Sequence, residues 1–140
     1  MTSDTPTDTP NSRRFISSGS PWESIAGYSR AVVQGDWIFV SGTVGIDLAT
    51  LQMPDAADAQ AELALDTIER ALEQVPATLA DVVRVRVYIP DRADVAAVSA
   101  VVKRRLGVAR AANTTVCSPL AVEAAKVEIE VTAMRPGAGG

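Results

Sequence analysis

The stretch DAQAELALDTIERALEQVPATLADVVRVRVYI, Asp58 to Ile89, decides the fold because the spacing of its apolar residues changes within it. Ala61, Leu65, Ile68, Leu72 and Val75 recur at three and four, while Glu62, Glu69, Arg70 and Glu73 fall elsewhere. This is the stripe of an amphipathic helix that covers a core on one side. Asp58, or in competition Asp55, is a candidate N-cap, and Pro76 stops the helix. From Asp81 the period becomes two. Val83, Val85, Val87 and Ile89 form one face of a strand, and Arg84, Arg86 and Tyr88 form the other.

Working outward, a second helix follows Asp94, with Val95, Val98, Val102 and Leu106 inward and Gly107 as its stop. Asn113–Cys117 and Lys126–Met134 read as strands, the second with Val127, Ile129 and Val131 opposite Lys126, Glu128 and Glu130. Before the first helix, Arg13–Ser17 reads as a short strand. Arg30–Gln34, a Gly35-Asp36 turn and Trp37–Gly42 form a hairpin, and Asp47–Pro54 is a loop. The order predicts a single α+β domain, an α/β sandwich with two helices on one face of a mixed sheet. The helix–strand–helix–strand middle fits parallel pairing by right-handed crossover. The domain should run from 13 to 135. Residues 1–12, almost devoid of apolar side chains, should form a disordered tail and residues 136–140 a flexible end.

Composition removes several chemistries. The 140 residues carry 13 Lys and Arg against 17 Asp and Glu, a net charge of −4, with no histidine and one cysteine. There is no Ser-His-Asp triad, no Cys-His pair and no internal disulfide. Acid–base work falls to carboxylates, lysines, Tyr28, Tyr88 or bound water. A pI near 4.8 speaks against a general phosphate-binding surface, so a nucleic-acid partner is not expected. No apolar stretch is long enough to cross a bilayer, and the N-terminal residues do not read as a secretory signal, so a cytoplasmic location is expected.

Several strings, in order, carry a resemblance. Gly27-Tyr28-Ser29-Arg30-Ala31, Phe39-Val40-Ser41-Gly42, Gln60, Ile68–Leu72, Leu79–Val83 and Val127–Ala133 together resemble the Rid/YjgF family of reactive-intermediate deaminases, also described as endoribonuclease L-PSP. The resemblance implies a chorismate-mutase-like fold and a homotrimer. The sheets would form a central barrel, with small-molecule pockets between subunits. It implies hydrolysis of 2-imino or 2-aminoacrylate-type acids to 2-oxo acids and ammonia, with no metal or organic cofactor.

Residue by residue, the family tyrosine matches Tyr28, the Ser-Gly pair matches Ser41 and Gly42, and the water-positioning glutamate matches Glu128. The carboxylate-binding arginine is replaced by Asn113, the pocket cysteine by Thr115, and an asparagine of the second helix by Ser99. A guanidinium binds a carboxylate through two charge-assisted hydrogen bonds, which an amide cannot match. The resemblance therefore implies altered substrate choice. Glu128 would act on water, with Tyr28, Ser41, Gly42, Asn113 and Thr115 binding substrate. Arg86 shares the face of Glu128 and reads either as a substrate contact or as an ion-pair partner of Glu128 or Glu130. Arg30 could reach the pocket mouth. Two other functions remain open: a metabolite-binding trimer without turnover, and a nuclease, against which the acidic pI and absent histidine count.

Overall fold

The structure, a computed structural model, describes residues 12–136. The tail expected at 1–12, apart from Ser12, and the end expected at 136–140, apart from Pro136, lie outside the described residues. Strands β1 (Arg13–Ile16), β2 (Ala31–Gln34), β3 (Trp37–Val44), β4 (Val82–Ile89), β5 (Ala112–Cys117) and β6 (Glu128–Met134) form one sheet in the order β1-β2-β3-β6-β4-β5. Helices are α1 (Pro21–Ala26), α2 (Ala57–Glu73) and α3 (Val95–Leu106). Among the described residues only β4 and β5 pair in parallel, joined through α3. β3 and β4 are both antiparallel to β6, so α2 crosses between two strands that run parallel with β6 between them.

The core lies on one face of the sheet. Ile38, Val40, Val85, Val87, Ile89, Ile129 and Val131 from the strands form one buried cluster with Leu65, Ile68 and Leu72 of α2 and Val98, Val101 and Val102 of α3. Gln60, 1% exposed, ties α2 to the chain before β6. Its side chain donates to the carbonyls of Pro54 and Ala124 and accepts from the Lys126 amide. Gly45 permits this approach, since a Cβ there would collide with the Gln60 backbone. Arg104 and Arg105, in the last turn of α3, pair with Glu62 of α2, and Arg105 reaches Asp66 and Glu69 as well.

Four details differ from the sequence reading. Val83 is exposed: the β4–β6 register shifts between Val82 and Arg84, and Val82 takes the inward place. Neither Asp58 nor Asp55 caps α2. Its N-cap is Ala56, without a side-chain hydrogen bond. Gly107 does cap α3 but in right-handed geometry, and the left-handed residue of that loop is Arg110, φ 52°. α1 was not anticipated, although its signals are present. Ser20 accepts from the Trp22 amide, Pro21 opens the first turn, and Gly27 closes the helix at φ 76°.

Candidate functional site

A second shift of register builds the site. Val40 pairs with Val131 but Thr43 pairs with Ile129, so β3 carries one extra residue at Ser41-Gly42. Bulges of this kind re-aim side chains and are common beside active sites. Here the bulge brings Gly42 against Glu128. A Cβ on Gly42 would lie 2.5 Å from Glu128 Oε2, so only glycine leaves that carboxylate its place.

Glu128 lines a pocket with Trp22, Tyr28, Arg30, Gly42 and Thr43. It also borders a shallower cleft with Tyr88, Ser118 and Glu130. Burial pushes its carboxyl above the ordinary 4.5, the nearby Glu130 charge pushes it further, and Arg30 offsets part of this. Glu130 accepts a hydrogen bond from the Tyr88 hydroxyl. That bond, with burial and the Glu130 charge, raises the Tyr88 phenol.

Arg30 is 5% exposed, deeper than the pocket mouth. It stands one residue out of phase with the core residues Ala31 and Val33, so alternation places it on the face of Glu128. Its Nε donates to Glu23 Oε2 at 3.3 Å, and its Nη1 to the Gly42 carbonyl at 2.9 Å and to Thr43 Oγ1 at 3.0 Å. Nη2 donates to the Tyr28 hydroxyl at 3.2 Å, and the guanidinium carbon lies 5.3 Å from the Tyr28 ring centroid. Glu23 comes from α1 and accepts from Ser17 Oγ, Ser18 Oγ and the Ser18 amide. Burial would raise its carboxyl, but the serine hydrogen bonds and Arg30 together hold it below the ordinary value.

Of the residues expected in the site, the chain brings Tyr28, Gly42 and Glu128 together. Ser41 supports from outside: its hydroxyl donates to the Ser29 carbonyl at 2.7 Å, holding the start of β2 to the bulge. Asn113 and Thr115 lie elsewhere. They pair with Val85 and Val87 and so share the helix side of the sheet, in a cleft with Ser99, Val102 and Lys103. Thr115 Oγ1 donates to Asn113 Oδ1 at 2.9 Å. Arg86 sits opposite Glu130 in the β4–β6 register and forms no ion pair among the described residues. It does not border the Glu128 pocket. Sequence reasoning missed Glu23, Trp22 and Thr43. The capped turn at Ser20-Pro21 was the available signal for the first two. Among the described residues no three His, Cys, Asp or Glu side chains stand together as metal ligands.

The family model described as endoribonuclease L-PSP matches residues 19–135, which span every element from α1 to β6. The chain belongs to that family. Within it, a member of the YjgF/YER057c/UK114 family from Mycobacterium tuberculosis is 41% identical, covering 88% of this chain and 99% of that one, with a TM-score of 0.79. The YjgF gene product of E. coli is 27% identical over 86% of this chain and 97% of that one, with a TM-score of 0.77. A Capra hircus relative named 2-iminobutanoate/2-iminopropanoate deaminase is 32% identical over 127 residues, 88% of this chain and 90% of that protein. The L-PSP family fold and the α+β reading of the sequence agree.

Proposed function

We propose that the protein hydrolyses an imine or enamine to a carbonyl compound and ammonia, at sites shared between subunits of a homotrimer. The substrate differs from the simple 2-imino acids because Asn113 stands where an arginine would hold their carboxylate. The observation that carries this reading is Glu128. A carboxyl raised above its ordinary value by burial, held at a glycine bulge beside Tyr28, is a stronger base than a free carboxylate and is placed to take a proton from water. The relatives named 2-iminobutanoate/2-iminopropanoate deaminase support the reaction class.

The chemistry balances without a further reagent. Glu128 accepts a proton from water as the oxygen adds to the C=N carbon. The π pair moves to nitrogen, which takes that proton from Glu128. Glu128 then takes the hydroxyl proton of the resulting carbinolamine and passes it to the same nitrogen, which leaves with the C–N pair as ammonia while the C=O forms. Sharing between subunits is supported by the separation of the two clefts and by β5, whose six residues are all exposed.

The test generates 2-imino acids in place with an amino-acid oxidase and traps the remainder with semicarbazide. Weak or absent acceleration by the wild type, rising at least tenfold in Asn113→Arg and lost in Glu128→Ala, is the expected result. The second reading, a metabolite-binding trimer without turnover, is favoured by the same Asn113. It becomes the better one if Asn113→Arg folds, assembles and still fails to act. The nuclease reading has only the family's description behind it, against a net charge of −4.

A further inference from the structure

We infer that the buried Glu23–Arg30 pair makes this pocket selective for an uncharged carbonyl or imine ligand, such as an amide, over a carboxylate. The inference rests on the hydrolase reading above and names its substrate class. A lone guanidinium in a pocket ordinarily recruits an anion. Arg30 is not alone: Glu23, itself 7% exposed, neutralises it from within the fold, and the serines around Glu23 keep that carboxylate ionised. Among the described residues, the only other charged one lining the pocket is Glu128. With both glutamates ionised, the pocket is net negative by one charge, and a carboxylate ligand would add a second with no unpaired cation to meet it among the described residues that line the pocket.

The hydrogen-bonding inventory points the same way. Arg30 spends four of its five N–H groups on Glu23, Gly42, Thr43 and Tyr28, which leaves one on Nη2. The Tyr28 hydroxyl accepts from Arg30, and its own proton has no acceptor among the described residues. Next to Glu128, the charged acceptor, the Tyr28 O–H and one Arg30 N–H therefore remain as donors, with the hydroxyls of Ser20 and Thr67 further along the lining. An amide matches that set, since its oxygen accepts from the two donors and its nitrogen donates to Glu128. Glu23 is thus a specificity-determining residue, and Arg30 both orients Tyr28 and offers the ligand its remaining N–H.

The experiment titrates the assembled full chain by calorimetry with 2-oxobutanamide and with 2-oxobutanoate, which have closely similar shapes and differ in charge. The wild type is expected to bind the amide at least tenfold more tightly at pH 7.5. Glu23→Gln keeps the shape of the pair but frees the Arg30 charge, and should shift that ratio at least tenfold toward the acid. Tyr28→Phe should weaken amide binding several-fold. If Glu23→Gln does not fold, the wild-type ratio and Tyr28→Phe decide. Equal or tighter binding of the acid by the wild type, as would follow if Lys103 of a neighbouring copy entered the pocket, overturns the inference and leaves the hydrolase reading standing. Binding of neither probe counts against the hydrolase reading itself, and the inference falls with it.

Discussion

At Gly42 and Gly45 the same residue type does opposite work, and the atoms around each say which. At Gly42 an added Cβ would meet the end of the Glu128 side chain, which can swing away. Gly42→Ala should therefore fold with nearly the wild-type melting temperature while Glu128 is displaced. A misplacement of about 1 Å can cost on the order of a hundredfold in rate, so kcat should drop by about that much, read in the imine-trapping assay with Asn113→Arg as the parent, beside a thermal melt. At Gly45 the obstacle is backbone, which cannot move aside, so Gly45→Ala should cost about 1–3 kcal/mol or more in denaturant unfolding. Glu128 also sets a pH dependence. Its folded-state value lies above 4.5, so the carboxylate that takes the water proton is lost as pH falls through that raised value. The acid limb of a rate profile should sit above 4.5 and vanish in Glu128→Gln. Glu23 has the opposite sign. Its folded-state value lies below 4.5, so its stabilisation is complete above about 4.5 and is lost as pH falls through the folded value. Wild type and Glu23→Gln should then differ in melting temperature at pH 7 and converge in strong acid.

Among the elements, α2 depends most on a residue that no periodicity announces. Gln60 holds the Pro54 carbonyl just before the helix and the Ala124 carbonyl and Lys126 amide just before β6. Burying Leu in its place would strand three backbone groups at about 1–3 kcal/mol each, reduced where water enters. Gln60→Leu should lower unfolding free energy by roughly 3 kcal/mol despite the gain in apolarity. The elements themselves were legible because alternation and helical spacing are local: α2, α3, β4 and β6 follow from them. Val83 and Arg30 show where that legibility stops. Alternation assumes an unbroken strand, and the bulge in β4 turns Val83 outward while Val82 goes in. Parity does put Arg30 on the Glu128 face, but its burial depends on Glu23 of α1, and α1 is only Pro21–Ala26. A helix that short is fixed by its caps rather than by an apolar stripe. Tyr28, Gly42 and Glu128, which the resemblance names, line one pocket. Asn113 and Thr115, which it also names for pockets between subunits, do not join them within one chain, a mismatch that follows because β5 pairs with the core-facing residues of β4.

That last mismatch is a property of the whole molecule, and it makes the assembly testable through the site. The open face of the sheet carries Trp37 and Phe39, 43% and 47% exposed and stacked at 6.5 Å, beside the charged rows of β4 and β6. Such a face, together with the exposed edge strand β5, fits burial against further copies of the chain. If each site takes Glu128 from one copy and Thr115 from the next, two different defects can complement each other. Glu128→Ala lacks the base and keeps Thr115. Thr115→Trp fills the other cleft and keeps Glu128. Each alone should be inactive on whichever substrate the wild type turns over. Unfolded together and refolded at equal concentration, they should regain about a quarter of wild-type activity, because each site draws its two halves independently from a mixed pool. A pocket complete within one chain allows no such recovery, since every copy then carries one defect at its own site. The mixture separates the two architectures without a structure of the oligomer. Sedimentation of the same samples should show three copies per particle in both variants, so that lost activity is not mistaken for lost assembly.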